Sequence, residues 1–242
     1  MRYFSRITVQ PAAVAALQDT RHQPALQAGD VYRDHALIWQ LFPEAPDATR
    51  DFLFRAEQGA RQGLRYYLVS ARPPQSWHPQ VTVETRPYLP TLAAGDWVQF
   101  ELRANPVIAV APAREAGRDG RVRGKRHDVL MHAKTQGRQA GLSGGALQQA
   151  VDDAAAGWLL KRADKWGLAI ADGELLLHGY QPHRLNSKGR DIRFASIDYQ
   201  GIARVSDPLL LQQALLGKPP ADAGLGHAQG FGCGLLLVKR LP

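Results

Sequence analysis

Near its end the chain reads Gly224-Leu225-Gly226-His227-Ala228-Gln229-Gly230-Phe231-Gly232-Cys233-Gly234-Leu235-Leu236-Leu237-Val238, five glycines followed by an apolar run. Clustered glycines let one backbone approach another closely and permit a positive φ. A nucleotide-binding P-loop would continue with Gly-Lys-Ser/Thr at the start of a helix, whereas here a strand follows. The pattern argues against a nucleoside triphosphate site. It leaves two interpretations: a loop that grips an extended polyanion, or a plain turn before the last strand of a sheet.

The elements that lead to this strand follow the order βαββαβ. They are a strand over Trp97–Ala111, a helix over Gly144–Gly167, strands over Leu168–Tyr180 and Arg190–Ser206, a helix from Asp207-Pro208 to about Gly217, and the final strand Gly234–Leu241. Alternating apolar residues indicate the strands, and Pro at the first helical position indicates the start of the last helix. This order is the ferredoxin-like pattern.

The first half of the chain resembles the second, with a poorly defined second helix. Its predicted elements are strands over Arg2–Gln10, Asp51–Glu57, Leu64–Arg72 and Val81–Tyr88, and a helix from a capping Asp30 to about Leu41. Prolines and a glycine near residues 89–95 indicate a domain boundary. We therefore expect an α+β protein of two tandem ferredoxin-like domains, 1–92 and 93–242. A four-stranded sheet of this type often binds RNA.

Composition favours a polyanionic partner. The chain has 242 residues and a net charge of +8, with a pI near 9.9. Such a surplus suits nucleic acid or an anionic membrane. No segment approaches the roughly 20 apolar residues that span a bilayer, and Met1-Arg2-Tyr3-Phe4-Ser5-Arg6 lacks a signal-peptide core. We expect a soluble cytoplasmic protein. With the single Cys233 and no Cys/His cluster at zinc spacing, we expect no disulfide, metal or other cofactor.

Two residues of the first predicted helix could carry chemistry. Tyr32 and His35 are three apart, so their side chains share one side of the helix. Histidine moves protons near neutral pH, and a metal-free ribonuclease needs a base for the 2′-hydroxyl and an acid for the leaving 5′ oxygen. A tyrosine hydroxyl or a cation could hold the 2′-oxygen or the phosphorane. The alternative is a histidine that only hydrogen-bonds a neighbour such as Asp34.

Two basic segments offer contacts to phosphate. Between Arg114 and Arg138 eight Lys or Arg residues stand against three acidic ones, and Arg184, Lys188, Arg190 and Arg193 cluster at a predicted hairpin. Charge runs are usually solvated faces. Neither cluster lies on an amphipathic helix, however, which favours nucleic acid over a membrane. The sequence lacks a helix-turn-helix pattern, which weakens the case for DNA.

Together these features resemble the CasE-type (Cse3) CRISPR RNA endoribonucleases of type I-E systems. The resemblance covers nearly the whole chain, and it depends on the order and spacing of several motifs rather than on one. They are His35-Ala36-Leu37-Ile38-Trp39-Gln40-Leu41-Phe42 after Tyr32, Leu102-Arg103-Ala104-Asn105-Pro106, Arg123-Gly124-Lys125-Arg126-His127-Asp128, Trp158-Leu159-Leu160, Phe194-Ala195-Ser196-Ile197-Asp198-Tyr199-Gln200-Gly201, Val205-Ser206-Asp207-Pro208, and Gly230-Phe231-Gly232-Cys233-Gly234-Leu235-Leu236.

The resemblance implies both the activity and the site. It implies metal-free cleavage of CRISPR repeat RNA at the base of its stem-loop, which leaves 2′,3′-cyclic phosphate and 5′-hydroxyl ends. It also implies that the protein, monomeric alone, stays bound to the product with the other Cascade complex subunits. His35 matches the general acid/base and Tyr32 its helper. The residues expected to bind RNA are Arg123, Lys125, Arg126, Lys134, Arg184, Lys188, Arg190, Gly226, Gly230, Gly232 and Gly234.

Two departures from the family leave an alternative open. Gln229 and Gln40 stand where relatives often carry a basic residue. If those cations stabilise the transition state, cleavage here is slow unless Lys125 or Lys134 substitutes. The alternative function is a non-catalytic RNA-binding subunit of the same fold, in which Tyr32 and His35 only pack.

Overall fold

A computed structural model describes residues 1–21, 31–43, 49–57, 63–110, 125–187, 190–219 and 224–242. Its α+β fold contains two four-stranded antiparallel sheets, one in each half of the chain. The last strand of the first sheet ends at Pro87, and the first strand of the second begins at Trp97. The division at residue 92 lies between these strands and stays a prediction.

The first sheet has the strand order of a ferredoxin-like domain. Its strands are β1 (Tyr3–Val9), β2 (Phe52–Glu57), β3 (Leu64–Ser70) and β4 (Val81–Pro87), in the order β2-β3-β1-β4. Two helices, α1 (Pro11–Arg21) and α2 (Val31–Trp39), connect β1 to β2. Alternation along β1 buries Ile7 and Val9 against Leu37 and Ile38 of α2. This packing fixes α2 on one face of the sheet.

The second sheet repeats that order. Its strands are β5 (Trp97–Ala104), β8 (Leu168–Ser187), β9 (Arg190–Val205) and β10 (Leu236–Arg240), in the order β10-β5-β9-β8. Helix α4 (Gly144–Ala163), extended by a 3₁₀ turn over Asp164–Trp166, and helix α5 (Pro208–Leu215) cover it. Asp207 caps α5 by accepting hydrogen bonds from the backbone of Leu209 and Leu210, as the Asp-Pro start predicted. Two tandem ferredoxin-like domains are thus confirmed.

The prediction of one strand over Trp97–Ala111 was wrong. β5 ends at Ala104, and the chain then enters β6 (Val107–Val110), which pairs with β7 (Lys125–Asp128) in a separate two-stranded sheet. Pro106 has no N–H to donate to a strand ladder. Beside it, the Asn105 side chain donates a hydrogen bond to the Ala195 carbonyl of β9. Helix α3 (Val129–Gln139) follows β7 directly, so the C-terminal part of the basic segment between Arg114 and Arg138 forms a strand and a helix.

The hairpin of β8 and β9 reaches further than the sequence predicted. The first strand was expected to end at Tyr180, whereas His183 and Arg184 still pair with Phe194 and Arg193 inside the ladder. Irregularities between Ile170 and Leu175 and between His178 and Gln181 break the alternation from which a strand is read. Pro182 is tolerated because β8 is an edge strand.

Two further predictions concern helices of the first domain. The sequence predicted no helix over Pro11–Arg21, where α1 lies; proline at the first position and the alanines that follow are the signal that was missed. The expected cap residue Asp30 lies outside the described residues. Between β3 and β4, where the second helix was poorly defined, the described chain has no helix.

The two domains contact each other through an apolar cluster and an ionic one. Leu53 and Val69 of the first sheet pack with Leu235, just before β10. Beside them the buried Arg55 of β2 pairs with Asp198 of β9 at 3.5 Å and with Glu101 of β5 at 3.3 Å. The start of β10, and with it the glycine-rich loop, is therefore placed against the first domain.

Candidate active site and adjoining grooves

His35 lies on α2 at the border between its buried and exposed sides. Its neighbours Ala36, Leu37 and Ile38 are buried, and His35 itself is half-buried. Its Nδ1 is 2.7 Å from the carbonyl oxygen of Gly230. Because a carbonyl oxygen can only accept, Nδ1 carries the proton in the neutral ring, and Nε2 keeps the lone pair. Nε2 is thus the atom that can take a proton from a substrate.

The surroundings of His35 favour this neutral form. Burial lowers the pKa of His35 below its ordinary value, the hydrogen bond to Gly230 opposes that change, and the positive charge of Arg50 adds to the lowering. A histidine of this kind is a free base at neutral pH.

The glycine-rich loop is shaped to meet α2. A single 3₁₀ turn, Gln229–Phe231, presents the Gly230 carbonyl, and Ala228 before it has φ 54°. Gly232 has φ 84°, and a Cβ there would lie 3.5 Å from the Phe54 ring of the first sheet. Glycine at this position is favoured by the left-handed backbone, since a Cβ at that distance from Phe54 would make only an ordinary van der Waals contact.

The other predicted glycines attach the loop to the second sheet. Gly226 has φ 92°, and a Cβ there would lie 3.1 Å from the Asn105 carbonyl. The backbone N–H of Gly234 donates to the Arg103 carbonyl at 2.8 Å. Gly232 and Gly234 are buried, whereas Gly226 and Gly230 are partly exposed. Contact between these glycines and RNA stays a prediction.

Tyr32 lies beside His35, as the helical spacing predicted. The two ring centroids are 6.5 Å apart. The alternative partner for His35, Asp34, faces the core instead, where it accepts hydrogen bonds from Arg33 and from the Tyr66 hydroxyl, both at 2.7 Å. The hydrogen bond of His35 goes instead to the glycine-rich loop of the other domain, which the sequence did not indicate.

Arg50 is a cation at this site that the sequence did not identify. It lies in the connection before β2, and its Nη2 donates to the Gln229 side chain at 3.0 Å. A Cβ placed on Gly230 would lie 3.1 Å from Arg50 Nη1 and 3.7 Å from His35 Nδ1. No local pattern marks Arg50, because only the fold brings it to His35.

A row of aromatic rings runs from His35 into the second domain. The Phe231 ring lies 5.4 Å from His35 and 5.5 Å from Phe194, which in turn stacks on His183 at 4.6 Å. His183 and Phe194 are cross-strand neighbours in the β8–β9 hairpin. The candidate catalytic histidine is therefore joined by packed rings to the predicted basic hairpin.

That hairpin forms one wall of a groove of about 680 Å³, here called the basic groove. Its other walls come from β7, the start of α3 and the glycine-rich loop. Its lining includes three arginines, Arg126, Arg184 and Arg193, together with Met131, Tyr180, His183, Phe194 and His227. The structure thus brings together Arg126 and Arg184 from the two predicted basic clusters. Arg193 also lines the groove, although it was not among the residues expected to bind RNA.

Carboxylates oppose part of the charge of the basic groove: Asp128 lines it, and Asp191 lies against two of its arginines. Asp191 accepts from Arg193 at 2.6 Å and from Arg184 at 3.2 Å. All three side chains are exposed. Such exposed pairs are worth little and are easily exchanged for other anions.

The remaining predicted residues lie elsewhere. Lys134 and Arg138 line a second groove, of about 570 Å³, that shares Met131 and Tyr180 with the basic groove. Lys125 alternates with Arg126 along β7 and so lies on the other face of that strand. Arg123 and Lys188 lie outside the described residues. Arg190 begins β9, and only its backbone is described.

Within the described ranges, no helix is long and apolar enough to cross a membrane. Among the same residues, no group of three or more His, Cys, Asp or Glu side chains is arranged to hold a metal ion. That the chemistry needs no metal stays a prediction for experiment.

The fold and site define a class of protein with two ferredoxin-like domains, in which a histidine of the first domain meets a glycine-rich loop of the second. The family model described as "CRISPR associated protein" matches residues 2–240. The Cascade subunit CasE of Escherichia coli K12 is 25% identical over 215 residues, covering 88% of this chain and 93% of that protein.

Solved structures of similar fold lead to the same group of proteins. A structure of the CRISPR endoribonuclease Cse3 bound to a 19-nucleotide RNA is 19% identical, with a TM-score of 0.65 and coverage of 98% of each chain. Thermus thermophilus Cse3, bound to an RNA that represents a pre-cleavage complex, is 20% identical, with a TM-score of 0.63 and coverage of 98% of each chain. These likenesses show the fold. The chain belongs to the CRISPR-associated protein family, and its predicted resemblance to CasE-type proteins is confirmed.

Proposed function

We propose that this protein is a metal-independent, site-specific endoribonuclease that cleaves CRISPR precursor RNA at the base of the repeat stem-loop. It stays bound to the mature guide RNA as a cytoplasmic Cascade subunit. The observation that carries this proposal is the His35–Gly230 hydrogen bond, which leaves Nε2 as a base on a ring that Phe231 and Phe194 join to the basic groove. The relatives named CasE and Cse3 support the substrate and the assembly.

His35 begins the reaction. Its Nε2 takes the proton of the 2′-hydroxyl, and that oxygen attacks the adjacent phosphorus. The bond from phosphorus to the 5′ oxygen breaks, and the 5′ oxygen leaves as a hydroxyl after it takes up a proton. The products are a 2′,3′-cyclic phosphate and a 5′-hydroxyl end. Tyr32, one helical turn from His35, can donate its hydroxyl proton in a hydrogen bond to the 2′-oxygen or to a phosphate oxygen.

The basic groove supplies the binding surface. Arg126, Arg184 and Arg193 offer three guanidiniums to phosphates, with Tyr180 and Met131 exposed between the two grooves. Phosphate contacts of this kind fix the position of the RNA without reading its sequence. The rings of His183, Phe194 and Phe231 lead from this surface to His35, so an RNA seated there has its backbone near Nε2.

The test is single-turnover cleavage of the hairpin repeat RNA of the source genome in excess EDTA. We expect one cut at the base of the stem. We also expect no cut when the nucleotide 5′ of that bond carries deoxyribose, because the nucleophile is then missing. His35→Ala should slow cleavage by roughly 10²-fold or more while RNA affinity, measured by filter binding, hardly changes. A requirement for Mg²⁺, or cleavage of the deoxy substrate, would contradict the mechanism; tight binding without any cleavage would indicate the non-catalytic subunit.

A further inference from the structure

Arg50 is placed where a reacting phosphate would need a positive charge. Its Nη1 and the Nδ1 of His35 both lie within 4 Å of one point, the Cβ position of Gly230. The two side chains also interact electrostatically, since the positive charge of Arg50 lowers the pKa of His35. The Arg50 guanidinium therefore adjoins the His35 ring, and a turn of its exposed side chain would bring it to a phosphate held at Nε2.

The hydrogen bond that Arg50 makes leaves its charge available. Its partner is the neutral amide of Gln229, and among the residues that the structure describes no carboxylate forms an ion pair with it. Other arginines near this face are neutralised: Arg72 pairs with Asp51 at 2.9 Å, and Arg103 pairs with Asp198 at 2.8 Å. Arg50 is also exposed, so it can turn toward a ligand.

We propose that Arg50 is a catalytic residue whose guanidinium binds the non-bridging oxygens of the scissile phosphate. The inference rests on the proposed function and adds to it. As the 2′-oxygen bonds to phosphorus, negative charge builds on those oxygens, and a positioned guanidinium stabilises it most in the transition state. The O2′–P bond forms and the P–O5′ bond breaks. One proton goes to His35 Nε2 and one reaches the leaving oxygen, while Arg50 stays protonated throughout. Gln229 acts as a positioning residue that holds the guanidinium toward His35.

The experiment compares Arg50→Ala, Arg50→Lys and wild type in single-turnover cleavage at saturating protein. We expect Arg50→Ala to lose about 10²- to 10³-fold in rate, the scale of a lost transition-state donor, with RNA affinity changed only a few-fold. Arg50→Lys should recover part of the rate, since it keeps the charge but loses the planar fork. The matched control is Arg6→Ala, which removes a guanidinium that is paired with Glu84 in the first sheet; it should cleave at the wild-type rate.

A phosphorothioate substrate separates this role from a structural one. Replacing a non-bridging oxygen of the scissile phosphate by sulfur weakens a hydrogen bond from Arg50. It should therefore slow the wild type, whereas Arg50→Ala should be affected much less. An Arg50→Ala protein with near-wild-type cleavage, or with an undiminished sulfur effect, would overturn the proposal while the His35 mechanism stands. A wild type that cleaves no hairpin RNA would overturn the proposed function and this inference together.

Discussion

In the proposed mechanism, His35 depends on one backbone carbonyl. The Gly230 oxygen fixes the tautomer, and burial together with Arg50 lowers the pKa of the ring. The sequence predicted the pair Tyr32 and His35 because three residues along a helix determine which side chains are neighbours. It could not predict Gly230 or Arg50 as their partners, because these come from the other domain and from a separate connection, and no local periodicity records such contacts.

The lowered pKa of His35 predicts the acid limb of the pH profile. In the proposed mechanism the reactive form is the neutral base, which is present above the pKa and is lost as pH falls through it. The rate constant at subsaturating protein should therefore stay level as pH decreases past the ordinary histidine value of about 6.5 and fall only at more acidic pH. Arg50→Ala removes one cause of the lowering, so its fall should begin at higher pH. A wild-type fall centred above about 6.5 would contradict this account.

Helix α2 is held in place by buried charges that lie beside His35 in the sequence. Arg33 and Asp34 are buried next to His35 in sequence, and Asp34 accepts from the Tyr66 hydroxyl of β3 at 2.7 Å. A buried ion pair persists only when further hydrogen bonds satisfy it. The two residues face the sheet, and this leaves His35 at the border of the helix, where it reaches the loop.

Tyr66→Phe tests this anchor. The change leaves a buried carboxylate short of one hydrogen bond, and should lower the free energy of unfolding by about 1.5–3 kcal/mol. Urea denaturation measures it, with cleavage rate as a second readout of α2 placement. Tyr3→Phe, in β1 of the same sheet, is the control, since its hydroxyl makes no hydrogen bond to the described residues. Equal losses in both variants would mean that Asp34 does not depend on Tyr66.

Elements were predictable where one local rule determined them. The cap of Asp207 with Pro208 and the order of the second βαββαβ unit follow from such rules. The break between β5 and β6 was missed although Pro106, which cannot donate to a ladder, marks it in the sequence. Only the contact of Asn105 with the Ala195 carbonyl depends on another strand. The end of β8 was missed because bulges interrupt its alternation, although the ladder with β9 continues to Ser187.

At the scale of the whole molecule, the net charge of +8 is organised rather than spread evenly. Arg126 of β7 and the two hairpin arginines Arg184 and Arg193 come from distant parts of the chain and line one groove. The sequence predicted the basic clusters by counting charges. It could not predict that Asp191 would stand between Arg184 and Arg193, because that follows from the register of the hairpin.

If RNA binds in the basic groove as proposed, Asp191 limits how strongly it binds. Hydrogen bonds from Arg193 and then Arg184 lower the pKa of Asp191, so its carboxylate stays ionised and competes with phosphate. Asp191→Asn should tighten binding of hairpin RNA several-fold at low salt, and the gain should shrink as salt screens the groove. Asp153→Asn makes the same change of charge on α4 and lines neither groove; it should have little effect. Equal tightening by both variants would show that net charge, not the groove, sets affinity.

Removing positive charges from the basic groove tests whether RNA lies there at all. Arg184→Ala combined with Arg193→Ala removes two phosphate partners, so the slope of log affinity against log salt should fall by about two units. Binding should weaken in parallel for every hairpin sequence, because backbone contacts carry no sequence information. The same titration with single-stranded RNA of equal length should start from a lower affinity, since a stem is recognised by its A-form shape. A salt slope that stays at the wild-type value in the double variant would place the RNA on another face of the protein. The RNA would then have to approach His35 from the side of α2 that faces away from the hairpin.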